Sequence, residues 1–183
     1  MTRIDESQDK KPVNIAVMTV SDTRTEADDT SGDTLVERLS RAGHYLADRA
    51  LLRDDVDAIT QRLRAWINDP RIDAVITTGG TGLTGRDVTP EAFAAVWDKE
   101  IPGFGELFRW ISFSKIGTST VQSRATAGVA RGTYLFALPG STSAVRDGWD
   151  EILEWQLDSR HRPCNFVELM PRLREGAASD AAE

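Results

Sequence analysis

Residues 74–87 read AVITTGGTGLTGRD. The short β-branched run Ala74–Thr77 predicts a buried strand, and four glycines follow within residues 79–85. Glycine has no Cβ, so backbone N–H groups in this glycine-rich loop (residues 78–87) are free to turn toward an anion, and phosphate is the expected ligand. The same loop also fits a tight strand-to-helix turn that uses glycine only for its geometry. It contains no lysine and so is not GxxxxGK[ST], which disfavours an ordinary P-loop ATPase; residues 80–85, GTGLTG, have the GxGxxG spacing, which alone does not indicate a dinucleotide dehydrogenase.

Strand-like and helix-like stretches alternate on both sides of this loop. Further strands are predicted over Val13–Val20, Tyr45–Leu52 and Thr133–Leu138. Helices are predicted after the capping residues Asp29 to Ser31, from Val56, at Thr89-Pro90, around Phe104 to Ile111, and after Ser141. This order predicts an α/β fold with a mostly parallel sheet covered on both faces. In such a sheet, ligands bind beyond the carboxyl ends of the strands.

Composition limits the classes of protein to which the chain can belong. It has 183 residues, 22 Lys plus Arg against 29 Asp plus Glu, and a net charge of −7, a balance that argues against nucleic-acid binding. No apolar run reaches the ~20 residues of a membrane span, and residues 1–12 lack the apolar core of a secretory signal. Cys164 is the only cysteine, so a disulfide framework is excluded. We predict a cytoplasmic chain with one domain over residues 13–171 and disordered tails over 1–12 and 172–183.

Carboxylates follow two of the predicted strands. Asp87 ends the glycine-rich loop, where it would repel a phosphate unless a divalent cation lay between them. Mg²⁺ is commonly held by one or two carboxylates together with substrate phosphates. Asp54 or Asp55, after the second predicted strand, could supply the other carboxylate, and capping of the next helix is the favoured role for Asp55.

Two further segments carry polar side chains of interest. Ser123 and Arg124, in VQSRATAG, could bind a polar or anionic ligand or lie in an ordinary surface loop. His161 and Cys164 suggest a catalytic pair, but a buried structural cysteine is the better interpretation.

Six segments taken in order resemble the molybdenum cofactor biosynthesis protein B family, which is closely related to the molybdopterin adenylyltransferases. They are TTGGTG at 77–82, RDVTPEA at 86–92, IPGFGELFR at 101–109, IGTSTVQSRATAGVA at 116–130, ALPGSTSAVR at 137–146 and RPCNF at 162–166. The resemblance implies a three-layer α/β/α molybdopterin-binding (Rossmann-like) fold that assembles as homotrimers or homohexamers. It also implies an enzyme that binds MgATP and molybdopterin, transfers AMP to the terminal phosphate of molybdopterin and releases pyrophosphate.

The resemblance also assigns roles to residues of this chain. Asp54 and Asp87 match the catalytic carboxylates that hold Mg²⁺, and Ser123 matches the contact to molybdopterin, with Arg124 beside it. The residues matching the nucleotide- and phosphate-binding positions are Ser21, Asp22, Thr78, Gly79, Gly80, Thr81, Gly82, Pro139, Gly140 and Ser141.

Two departures from the family pattern leave alternatives open. Arg53 stands where the family commonly has proline, so either Asp54 or Asp55 could be the first carboxylate. The late turn reads PGST, as in B-type proteins, some of which bind the pterin without evident catalysis. The alternative function is therefore a non-catalytic molybdopterin-binding protein of the same pathway.

Overall fold

A mixed, mostly parallel sheet forms the centre of the protein, and the computed structural model describes residues 3–175. The strands are β1 (Arg3–Ile4), β2 (Asn14–Val20), β3 (Tyr45–Leu52), β4 (Ala74–Thr78), β5 (Lys99–Glu100), β6 (Thr126–Ala130), β7 (Thr133–Leu138) and β8 (His161–Arg162). The strands of the central sheet lie in the order β3-β2-β4-β7-β6-β5, in which β3, β2, β4 and β7 are parallel and the last two pairings are antiparallel. A separate ribbon pairs β1 with β8.

Capping side chains begin several of the helices, as the sequence predicts. The Asp29 carboxylate accepts from the backbone N–H of Gly32 at 3.0 Å, and the Ser141 hydroxyl accepts from that of Ala144 at 3.2 Å. Thr89 is instead the first residue of its helix, after Val88, and donates its hydroxyl to Gly79 O at 2.9 Å. The helices are α1 (Thr30–Arg41), α2 (Val56–Ile67), α3 (Thr89–Ala94), α4 (Pro102–Ile116), α5 (Thr142–Gly148), α6 (Glu154–Gln156) and α7 (Phe166–Leu169), with a π-helical turn over Trp149–Leu153 between α5 and α6.

Side chains that alternate along the strands pack into two apolar cores, one on each face of the sheet. On β4, Ile76 joins the core beneath α1, α4 and α5, whereas its neighbour Val75 joins the core beneath α2 and α3. Both are fully buried. The fold is therefore three-layered, with helices on both sides of a mostly parallel sheet, as the sequence predicts.

Some segments differ from the sequence-based expectations. Residues 3 and 4, predicted to lie in a disordered tail, pair with β8 in the register Arg3↔Arg162 and Ile4↔His161. This ribbon gives their backbone groups partners that the local sequence does not reveal. Cys164, predicted to be buried, is exposed. Most of the other predicted tail, residues 176–183, lies outside the described residues.

Candidate functional site

A cleft of about 670 Å³ lies at the carboxyl edge of the sheet, beyond the ends of β2, β4 and β7. Because β6 runs in the opposite direction, the segment that precedes it reaches this same edge. Most of the predicted site residues line the cleft: Ser21, Asp54, Gly79, Gly80, Thr81, Gly82, Asp87, Ser123, Pro139, Gly140 and Ser141. Asp22, Thr78 and Arg124 are not among the residues that line it.

The glycine-rich loop is fixed closely against its neighbouring strands. Gly79 has φ +104°, and a Cβ on it would lie 2.0 Å from Val20 O, so the backbones meet where no side chain fits. Its N–H donates to Leu138 O at 3.0 Å, and the buried Thr78 hydroxyl donates to Pro139 O at 3.0 Å. Thr78 therefore joins two strand ends rather than facing the cleft.

Gly80 brings the loop against a carboxylate. Its φ is +64°, and a Cβ there would lie 2.8 Å from Asp54 Oδ1 and 2.4 Å from Thr89 Oγ1. An alanine at this position would be strained in its backbone and would collide with both side chains. The absence of a side chain at Gly80 therefore keeps the Asp54 carboxylate accessible from the loop.

Negative charge is concentrated around Asp54. Burial of its carboxyl raises the pKa of Asp54 above the ordinary value, and the negative charges of Asp22 and Asp87 raise it further. The Arg86 guanidinium acts in the opposite direction. It forms an ion pair with Asp22 at 3.1 Å between Nε and Oδ2, which connects the loop after β2 with the glycine-rich loop.

Asp87 remains the stronger acid of the two cleft carboxylates. Burial alone would raise its pKa, but hydrogen bonds from the hydroxyl and backbone N–H of Thr84, together with the Gly82 backbone and the positive charge of Arg124, more than offset this, and the pKa of Asp87 lies below the ordinary value. These two bonds reach Asp87 Oδ2 at 2.6 and 2.9 Å. The carboxylate of Asp87 is therefore ionised and held in one orientation.

The two consecutive aspartates after β3 have different roles. Asp54 lines the cleft, whereas Asp55 Oδ1 accepts from the backbone N–H of Ala58 at 2.8 Å and caps α2. Of the two carboxylates, Asp54 is the one placed to meet a ligand.

The donor set limits what kind of cation the cleft could hold. Within residues 3–175, no group of three or more His, Cys, Asp or Glu side chains is arranged to hold a metal ion by itself. Asp54 and Asp87 supply hard oxygen atoms from two sides of the loop, and their mutual repulsion is relieved by a positive charge. This arrangement suits Mg²⁺ that takes its other ligands from water and a bound phosphate.

Ser123 and Arg124 are adjacent in sequence but differ in position. Ser123 lines the cleft, and its Oγ accepts from the backbone N–H of Ala125 at 3.3 Å. The Arg124 guanidinium instead donates to backbone carbonyls of the glycine-rich loop and borders a smaller cavity of about 340 Å³. Its Nε, Nη1 and Nη2 each donate to a protein acceptor and it does not line the cleft, so its predicted contact with molybdopterin stays a prediction.

The helical wall of the cleft is not predicted from the sequence. α4 contributes Phe108, Ser112 and Lys115, and the Lys115 ammonium pairs with Asp147 of α5 at 2.5 Å. Arg24 also lines the cleft and donates to Gly140 O at 3.0 Å. The three α4 residues belong to no motif that follows a strand, although the helical spacing of 108, 112 and 115 places them on one face of α4.

The sheet order, the cleft at the carboxyl edge and the glycine-rich loop define an α/β protein with a small-molecule site. In the described part of the chain, no helix is long and apolar enough to cross a membrane. Residues 16–159 match the family model described as "Probable molybdopterin binding domain". The chain belongs to this family, and specifically to the molybdenum cofactor biosynthesis protein B group.

Three relatives illustrate the similarity. Molybdenum cofactor biosynthesis protein B of Escherichia coli K12 is 51% identical over 155 residues, which are 85% of this chain and 91% of that protein. A crystal structure of a molybdenum cofactor biosynthesis protein B superposes with a TM-score of 0.82 at 40% identity, covering 92% of this chain and 99% of the other. The tungsten cofactor synthesizing protein MoaB from Pyrococcus furiosus gives 0.75 at 35% identity, with 90% and 98% covered.

Proposed function

We propose that this protein binds molybdopterin and MgATP in the carboxyl-edge cleft and transfers AMP to the terminal phosphate of molybdopterin. A phosphate oxygen of molybdopterin attacks the α-phosphorus of ATP, the bond from that phosphorus to the bridging oxygen breaks, and pyrophosphate leaves. The observation that carries this proposal is the placement of Asp54 and Asp87 beside the same glycine-rich loop in one cleft. Membership of the molybdopterin-binding family supports the choice of pterin.

The residues of the cleft would perform three tasks in this reaction. Asp54 and Asp87 would hold Mg²⁺, which when bound offsets the repulsion between two anionic substrates. Backbone N–H groups of Gly80 to Gly82, together with the loops at Ser21 and Pro139 to Ser141, would bind phosphate oxygens of the nucleotide. Ser123, in the segment before β6, would contact molybdopterin.

A transfer between two bound substrates requires no covalent intermediate with the protein. Holding the attacking oxygen in line with the α-phosphorus lowers the barrier by several kcal/mol through positioning alone. A cleft of about 670 Å³ falls within the volume range of sites for small molecules.

Pyrophosphate release tests this proposal directly. We expect purified protein to release pyrophosphate only when MgATP and molybdopterin are both present. Asp87→Asn and Asp54→Asn should abolish this release while leaving the melting temperature near the wild-type value, because asparagine preserves shape and removes one charge. Asp55→Asn is the matched control and should retain activity, since asparagine caps helices as well as aspartate does.

Each contrary outcome has a specific meaning. Molybdopterin binding without pyrophosphate release from the wild type would support the non-catalytic alternative. Loss of activity in Asp55→Asn but not in Asp54→Asn would reverse the assignment of the first carboxylate.

We also propose that the chain associates with copies of itself as a trimer or a pair of trimers. Five aromatic residues lie within residues 97–113. Phe104 and Phe108 are buried in the core and Trp97 is partly buried, so these three are not available for an interface. Trp110 and Phe113 are 75% and 56% exposed. With Leu107 and Ile116 they form an apolar stripe at every third residue of α4, and exposed stripes of this kind favour interfaces.

The cytoplasmic location remains a prediction.

A further inference from the structure

Arg124 contacts the glycine-rich loop at several points. Its Nε donates to Gly82 O at 2.7 Å, and its Nη2 donates to Asp87 O at 2.7 Å. Its backbone N–H donates to Thr81 O at 3.0 Å, and Nη1 forms an ion pair with Glu91 in the first turn of α3. One side chain therefore joins the loop, the start of α3 and the segment before β6.

Residues 82–87 close into a compact turn of which Arg124 binds both ends. Inside the turn, the backbone N–H of Asp87 donates to Thr84 O at 3.1 Å, while Thr84 donates twice to the Asp87 carboxylate. Gly82 is packed against that carboxylate, because a Cβ on it would lie 2.7 Å from Asp87 Oδ2. The turn thus fixes the carboxylate relative to its own backbone, and Arg124 fixes that backbone relative to the sheet.

The segment that carries Arg124 is itself supported from α4. Arg109 Nη1 donates to Ala125 O at 3.1 Å and to Ser123 O at 3.4 Å, and the hydroxyl of Thr120 donates to Arg109 O at 3.2 Å. Arg124 therefore projects from a braced backbone, which lets its guanidinium hold a neighbouring loop in place.

We infer that Arg124 is a positioning residue that sets the location of the Asp87 carboxylate by holding both ends of the turn 82–87. This inference rests on the proposed role of Asp87 in holding Mg²⁺. A guanidinium is needed because its planar fork reaches two carbonyls and a carboxylate at once, whereas a lysine ammonium is a single point of charge. Groups that orient metal ligands typically change metal affinity or activity by about 10–100-fold when they are removed.

The test compares Arg124→Ala and Arg124→Lys with the wild type in pyrophosphate release as a function of Mg²⁺ concentration. We expect the Mg²⁺ concentration for half-maximal rate to rise by about 10–100-fold in Arg124→Ala. The KM for molybdopterin should stay at the wild-type value, and Arg124→Lys should restore only part of the loss. Amide hydrogen exchange of residues 82–87 should accelerate in both variants, because the carbonyl contacts are lost or reduced.

A matched control removes a comparable arginine away from the cleft. Arg38 donates to Asp150 through Nε at 2.7 Å and Nη2 at 3.0 Å, and it does not line the cleft. Arg38→Ala should leave the Mg²⁺ requirement and the exchange of residues 82–87 unchanged. If Arg124→Ala does not fold, Arg124→Lys, which retains the aliphatic stem, carries the same comparison.

The outcomes separate this inference from the proposed function. A raised KM for molybdopterin with an unchanged Mg²⁺ requirement would make Arg124 a ligand contact and overturn the inference. Unchanged exchange of residues 82–87 in Arg124→Ala would overturn it whatever the activity. Absence of pyrophosphate release from the wild type would refute the adenylyltransferase proposal instead, and the exchange measurement would still decide whether Arg124 holds the turn.

Discussion

Acid should destabilise this protein through one buried histidine, His44, at the end of the α1–β3 connection. The residue is 4% exposed, and its Nδ1 accepts the backbone N–H of Val13 at 3.1 Å. Its Nε2 is buried without a hydrogen-bond partner within residues 3–175. The imidazole is therefore neutral, with its proton on Nε2, and a second proton on Nδ1 would break the bond from Val13.

The lowered pKa of His44 sets how much the free energy of unfolding should fall in acid. Burial lowers this pKa from 6.5 to about 4, the positive charge of Lys10 lowers it too, and Asp158 opposes the shift. Between these two values the unfolded chain binds a proton that the folded chain does not, so stability is complete above the unfolded pKa and falls as the pH decreases. At about 1.4 kcal/mol per pH unit, the free energy of unfolding should lose about 2 kcal/mol by about pH 5 and about 3 kcal/mol by about pH 4.

Urea denaturation of the wild type and His44→Asn measures this loss. The asparagine Oδ1 can still accept from Val13, but the side chain cannot be protonated, so any packing cost in the variant is independent of pH. The difference in free energy of unfolding between the two proteins should change by about 2 kcal/mol between about pH 7.5 and about pH 5. All other ionisable groups are common to the two proteins and cancel in the difference. Parallel stability profiles for the two proteins over this range would refute the reasoning.

Three other predictions concern the cleft and the surface. Gly80→Ala should lower the free energy of unfolding by about 1 kcal/mol or more in a denaturation experiment, because φ at this position is +64°. It should also lower activity, because Asp54 is adjacent. Gly85→Ala is the control and should be close to neutral, because a Cβ at Gly85 has no neighbouring atom within 4 Å. Ser123→Ala should weaken molybdopterin binding by up to about tenfold in calorimetry and leave MgATP binding unchanged, and the opposite selectivity would move Ser123 to the nucleotide side. Replacing Trp110 by glutamate should convert the proposed trimer to monomers in light scattering, whereas a wild type that is already monomeric at micromolar concentration would contradict the proposed assembly.

Much of the fold is predictable because four of the strands can be predicted from the apolar residues of their own segments. The bounds of β3 and β7 and the start of α2 agree with the sequence prediction, and the bounds of β2 and β4 agree within one residue. β6 was missed since its residues, TAGVA, are small and lack a β-branched run. β6 is held by tertiary contacts, which no local sequence pattern predicts. It pairs with β7, and Trp97 packs so closely on Gly128 that a Cβ there would lie 2.5 Å from the indole ring.

The candidate site was predictable where residues follow strands and unpredictable where side chains reach across the fold. Asp54 could be separated from Asp55 by capping chemistry, since the helix that begins at Val56 needs an N-cap immediately before it. Arg124 could not be placed, because its acceptors Gly82 and Asp87 lie 42 and 37 positions away in sequence. The local sequence around an arginine that precedes a strand does not show whether its guanidinium binds a ligand or a backbone carbonyl.

The division of the interior into two cores decides where compensation for a mutation can arise. Val75 and Ile76 are consecutive along β4, yet their side chains lie on opposite sides of the sheet. A void left by truncating Ile76 can therefore be filled only by a larger residue on its own side, such as at position 136, its Cα partner on β7. Enlarging Val75 cannot fill it. A substitution at position 76 can therefore be compensated at position 136, 60 positions away in the sequence, but not at the neighbouring position 75.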